Sequence, residues 1–124
     1  MASVLMFNIT DPQKVNELNV LSLRLNFSLQ AVPCDRQHCL IRNLLDGKDS
    51  ASAATPVFKD EMLVMDGMTH ADLNFLLNEL IRTGNSIPLK AVVTPTNREW
   101  PAAMLYTQLV QENRRMNQKA GKNK

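Results

Sequence analysis

The sequence predicts a small α/β fold, a three-layer sandwich around a four-stranded, mainly parallel sheet of strand order 2-1-3-4. Three observations carry this reading. Short apolar runs of strand length alternate with stretches of helical period, the alternation is traversed twice, and a weak internal match relates the two passes. Ser28–His38 (SLQAVPCDRQH) and Pro88–Arg98 (PLKAVVTPTNR) align at an offset of 60, pairing Leu29 with Leu89, Ala31 with Ala91, Val32 with Val92 and, further on, Leu45 with Leu105. Upstream the offset is 59, pairing Met6 with Met65 and Thr10 with Thr69.

The first element, Ala2–Ile9, holds the apolar run VLMF without helical caps and reads as a buried strand. Thr10 or Asp11 then caps a helix, with Pro12 in its first turn, where a missing N–H costs nothing. That helix runs to about Asn26 with Val15, Leu18, Leu21 and Leu25 inward. Phe27–Pro33 is a second strand, and Asp35 caps a shorter helix whose stripe is Leu40, Ile41, Leu44 and Leu45. Asp46–Lys59 (DGKDSASAATPVFK) has no period and little apolar surface, so it reads as a linker.

The second pass restarts at strand Met62–Asp66, and Thr69 to Asp72 has capping-box spacing. Leu73, Leu76, Leu77, Leu80 and Ile81 form the clearest helical stripe in the chain, which Gly84 ends as a left-handed cap. Pro88–Val93 is the fourth strand, and the last helix carries Ala102, Leu105, Tyr106, Leu109 and Val110 on one face. The chain is thus one domain of 124 residues, with βαβα halves 1–45 and 62–112, linker 46–59 and a flexible basic tail 113–124. Strands joined by helical crossovers are expected to be parallel. With the first strands of the halves adjacent, a pseudo-twofold axis sends the first crossover to one face and the third to the other. A two-layer α+β arrangement with every helix on one face is the alternative.

Composition restricts the function classes. No apolar run reaches the roughly 20 residues of a membrane span. The N-terminus MASVLMFNITD lacks the pattern of a secretory leader, and the two cysteines, Cys34 and Cys39, suit a reducing compartment, so the expected location is the cytoplasm. The formal charge of +2 conceals an asymmetry. Arg114, Arg115, Lys119, Lys122 and Lys124 lie in the last eleven positions, leaving nine basic against twelve acidic groups in residues 1–113. A basic tail can bind phosphate backbones, but this one has no aromatic residue to stack on bases, and nucleic-acid binding is the weakest of the readings.

In an open parallel sheet, ligands bind beyond the carboxyl ends of the strands where strand order reverses, here between strands 1 and 3. Candidate ligand-binding residues are therefore Asn8 and Thr10 after strand 1, Asp66 and Gly67 after strand 3, and Thr94, Thr96 and Asn97 after strand 4. Gly67 allows close backbone approach, and Thr94–Trp100 offers N–H groups and hydroxyls at a helix start. The same residues also suit a tight turn at Asp66-Gly67 and a capping box of Thr96 with Glu99. Asp66 and Thr94 occupy the places of the phosphoacceptor and switch threonine of bacterial receiver domains. The acidic pair and terminal lysine that such chemistry requires are missing, however. Cys34, His38 and Cys39 supply at most three metal ligands where a closed zinc site takes four, so neither a metal nor a cofactor is expected. No catalytic constellation stands out.

The stretch from Met62 to about Gln111 resembles a family of small bacterial α/β proteins classified as a domain of unknown function. The resemblance rests on MLVMDGM, the leucine helix and K-A-V-x-T-P-T-N-x-x-W, here Lys90, Ala91, Val92, Thr94, Pro95, Thr96, Asn97 and Trp100. It supplies relatives without chemistry. The expectation is a non-catalytic binding or regulatory module engaging a protein partner or a small anionic ligand. A small enzyme acting on a phosphorylated or anionic substrate at the crevice between strands 1 and 3 is the alternative.

Overall fold

The computed structural model describes residues 2–33, 36–47 and 58–122, the last nine of these by their backbone alone. Strand β1 (Ala2–Phe7) leads into helix α1 (Pro12–Leu25), whose first turn is capped by Asp11 accepting from the Gln13 N–H at 2.9 Å. Asn26 closes α1 in the left-handed conformation, φ 59°, and β2 (Phe27–Val32) follows at once. Helix α2 (Ile41–Asp46) is short, and its start has no side-chain cap. Asp35, expected to cap it, lies outside the described residues. Strand β3 (Met62–Asp66), helix α3 (His70–Arg82) and strand β4 (Leu89–Val92) then repeat the alternation, and α4 (Ala102–Lys122) takes in residues 113–122 of the basic segment.

The sheet has the expected order β2-β1-β3-β4, and β1–β2 and β3–β4 are parallel. The central pair is not. β1 and β3 run antiparallel, from Ser3 opposite Asp66 to Phe7 opposite Met62, so the sheet is mixed. The reason is local to the entry of β3. The Asn8 side-chain amide, directly after β1, donates to the carbonyls of Phe58 and Asp60 at 3.0 Å each, which makes β3 begin where β1 ends. The crossover rule fixes the handedness of connections between parallel strands, and β2 and β3 run antiparallel.

The register contains a near-twofold relation. Leu5 faces Val64, 59 positions later, and outside the strands Leu40 bridges Pro101, 61 positions later. Beside that bridge, the Ile41 N–H donates to the Trp100 carbonyl at 2.9 Å and the Ala102 N–H to the Cys39 carbonyl at 3.0 Å, so the two bonds are mates under a shift of 61. An axis normal to the sheet preserves its faces. Accordingly α1 and α3 share one face, where Leu18, Leu21, Leu76 and Leu80 pack on Val4, Met6, Leu63 and Met65. Helices α2 and α4 share the other, where Ile41, Leu44, Ala102 and Leu105 pack on Leu5, Phe7, Met62 and Val64. The three layers are as expected, while the placing of the first and third crossovers on opposite faces is corrected. Helices on both faces also exclude the two-layer alternative.

The sequence match at offset 60 is one residue out in space. Leu29 packs toward α1 and Leu89 toward α4, on opposite faces of the sheet. A shift of 61 instead pairs Val32 with Val93, Ile41 with Ala102 and Leu44 with Leu105, all on one face. Because strand side chains alternate, a slip of one position turns every residue over. One helical residue departs as well: Ile81, read as the last member of the α3 stripe, is 65% exposed, one step around the helix from fully buried Leu80.

Candidate functional site

With β1 and β3 antiparallel, the candidate residues fall at opposite ends of the sheet. Asn8 and Thr10 leave β1 at one end, while Asp66 and Gly67 leave β3 at the other, beside Thr94–Asn97 after β4. The crevice expected between strands 1 and 3 is therefore not formed. What the fold does bring together is the second group, since the Val93 N–H donates to the Met65 carbonyl at 2.9 Å and holds the two exits side by side.

The loop after β4 is closed by Asn97. Its side-chain oxygen accepts from the Thr94 N–H at 2.8 Å, its amide donates to the Val92 carbonyl at 3.0 Å, and its own N–H donates to the Thr94 hydroxyl at 3.0 Å. Asn97 is buried, and Thr94, Pro95 and Thr96 stand exposed on the loop it ties. The expected capping box is corrected here: Asn97–Glu99 forms a single 3-10 turn without a side-chain cap from Thr96, and the long helix starts only at Ala102. Alternation along β4 turns the backbone of Val92 away from β3, so the Asn97 amide covers a carbonyl on the outer edge of the sheet. Lys90, also on that edge, donates its ammonium to the Ile87 carbonyl at 2.7 Å. Trp100 is half-buried against the α2/α4 core, and its carbonyl holds the start of α2. At the β3 exit Gly67 has φ 74°, a conformation that favours glycine, and Thr69 caps α3 by accepting from the Asp72 N–H at 3.1 Å.

The opposite end carries a network that sequence reasoning missed. Buried Gln37 accepts from the Phe58 N–H at 2.9 Å and donates to the Phe58 carbonyl at 3.0 Å and to the Asn8 side-chain oxygen at 3.2 Å. The Phe58 ring stacks on Tyr106 at 4.3 Å and leans on Phe7 at 5.9 Å, while the Tyr106 hydroxyl donates to Asp60 at 2.7 Å. Phe58 therefore belongs to the core and not to the linker in which it was placed. The available signal was an aromatic residue within a segment otherwise rich in Gly, Ser, Ala and Pro.

Of the metal-like cluster, Cys39 is buried with its sulfur 3.9 Å from His38 Nε2, and Cys34 lies outside the described residues. Among the described residues no three His, Cys, Asp or Glu side chains are grouped to hold a metal ion. Electrostatic perturbation lies elsewhere too. Arg82 hydrogen-bonds Glu79 on α3 and holds its carboxyl below the usual value of 4.5, and Glu79 in turn raises Arg82.

The segment from the entry of β3 through β4 and its tied loop to the middle of α4 has a counterpart among known families. Residues 61–116 match the model of a domain of unknown function, DUF3783. The DUF3783 match takes in Asp66, Gly67 and Thr94–Asn97 and leaves out β1, α1, β2 and α2, so it covers less than half of the chain. No curated protein and no solved structure matches the chain. No helix among the described residues is long and apolar enough to cross a membrane.

Proposed function

We propose that the protein is a non-catalytic binding module that engages a protein partner or a small anionic ligand at the sheet end shared by Asp66-Gly67 and Thr94–Asn97. The observation that carries this reading is the loop tied by Asn97. Its inward polar groups are bonded to one another, so Thr94, Pro95 and Thr96 are offered outward in a fixed shape at little further ordering cost. The enzymatic alternative loses its main support, because strands 1 and 3 release their candidate residues at opposite ends. The DUF3783 match brings no activity with it. A cytoplasmic location, an origin in a bacterial family and descent of the two halves from one βαβα unit remain parts of this proposal. They rest on cysteine content, on the K-A-V-x-T-P-T-N-x-x-W resemblance and on the near-twofold register respectively.

Thermal melting with inorganic phosphate and with sulfate tests the anionic arm, and cross-linking from Thr96→Cys in cell extract tests the protein arm. The reading requires that Asp66→Ala combined with Thr96→Ala abolish whichever response the unaltered chain gives while leaving the unliganded melting temperature within about 2 °C. A response that survives both substitutions places the binding surface elsewhere. Nucleic-acid binding through Asn113–Lys124 predicts instead a steeply salt-dependent affinity that disappears on truncation before Asn113.

A further inference from the structure

The two edges of the sheet are not alike. On the β4 edge, Pro88 precedes the strand, Lys90 lies within it and Asn97 covers the Val92 carbonyl, all features that deter another strand. The β2 edge differs within the strand itself: Pro33 follows it, but no lysine lies in it. Phe27–Val32 is a six-residue strand without proline or charge, and among the described residues no other strand pairs with its outer side. Helix α1 lies over this side of the sheet, and its flank turned away from α3 presents Asn16, Asn19, Leu23 and Asn26, none charged. The charged residues of α1 that reach α3, Glu17 beside Arg82 and Arg24 beside Glu79 and Phe75, fall on its opposite flank. Leu23 is 85% exposed, the most exposed large apolar side chain among the described residues.

We infer that the β2 edge pairs antiparallel with the β2 edge of a second copy of this chain, forming a continuous eight-stranded sheet in a twofold dimer. An uncharged edge meets its own copy without like-charge repulsion, which suits a self-complementary contact. The twofold lies normal to the sheet, so each α1 stays on the same face as its mate. Neighbouring strands are about 4.8 Å apart, and a helix seated over β1 and β2 would lie two strand spacings, about 9.6 Å, from its counterpart. That falls within the 8–10 Å at which helices pack, and it is the spacing that the same sheet geometry gives α1 and α3 across the antiparallel β1–β3 pair. The second α1 would cover Leu23.

Sedimentation equilibrium over a wide concentration range tests the inference on the full chain. The unaltered protein should show a monomer–dimer equilibrium, Leu23→Glu and Ala31→Lys should each weaken it at least about tenfold, and Val92→Lys on the other edge should leave it unchanged. Circular dichroism establishes that each variant is folded. Should either β2-side variant fail to fold, amide hydrogen exchange of the unaltered chain decides, since β2 amides must gain protection with concentration and β4 amides must not. A monomer at every concentration, a dimer indifferent to both β2-side substitutions, a dimer weakened as much by Val92→Lys, or β2 exchange independent of concentration would each overturn the proposal.

Discussion

Asn97 concentrates more bonding than any other residue of the tied loop, whereas its neighbour Thr96 accepts from the Glu99 N–H through its backbone carbonyl. Replacing Asn97 with Ala strips the Val92 carbonyl and the Thr94 N–H of their partners, and is expected to cost about 2–3 kcal/mol in urea denaturation, against less than about 0.5 kcal/mol for Thr96→Ala. The sequence named both residues but could not separate them, because a capping residue and a loop tie use the same side chain at the same spacing. Gly84 was legible. It takes φ 75° at the end of α3 and an added Cβ would meet nothing within 4 Å, so Gly84→Ala should lose about 1–2 kcal/mol through backbone conformation alone. Glu79 supplies a pH dependence with a definite sign. A carboxyl held below 4.5 in the folded chain stabilises it at neutral pH, and that contribution disappears as pH falls through the lowered value. Stability measured from pH 7 to pH 3 should therefore fall less for Glu79→Gln than for the unaltered chain, and the difference should shrink in high salt.

Among the elements, α3 shows how far a periodic pattern can be trusted. Leu73, Leu76, Leu77 and Leu80 pack on the sheet as their spacing predicts, whereas Ile81 ends in solvent. An apolar stripe spans about 100° of a helix, and a residue at its margin faces the core only if a neighbouring element reaches it. Leu76→Ala is accordingly expected to lose about 2–5 kcal/mol and Ile81→Ala less than about 0.5 kcal/mol, both read from denaturant midpoints. The strands were equally legible as elements, since VLMF and MLVMD are buried along nearly their whole length. Their partners' faces were not. Leu29 and Leu89 match as letters and point to opposite layers, because a similarity score carries no record of which side of a sheet a residue occupies.

At the scale of the molecule, strand order followed from the alternation of elements, but strand direction depended on Asn8, Gln37 and Phe58, which belong to no periodic element. Removing the buried amide in Gln37→Leu leaves the Phe58 backbone N–H without its acceptor and should cost about 2–3 kcal/mol in urea denaturation. The antiparallel centre has one more consequence. Each end of the sheet is the exit of one parallel strand pair, so the molecule has two such mouths facing opposite ways. At one, the chain inserts its own Phe58 between Phe7 and Tyr106. At the other, Phe7 is replaced by Asp66, Asn8 by Gly67, and Tyr106 by Leu45 under the same near-twofold shifts, so neither aromatic neighbour of Phe58 is repeated there. The two mouths are thus related in backbone and different in lining, which makes each a built-in comparison for the other.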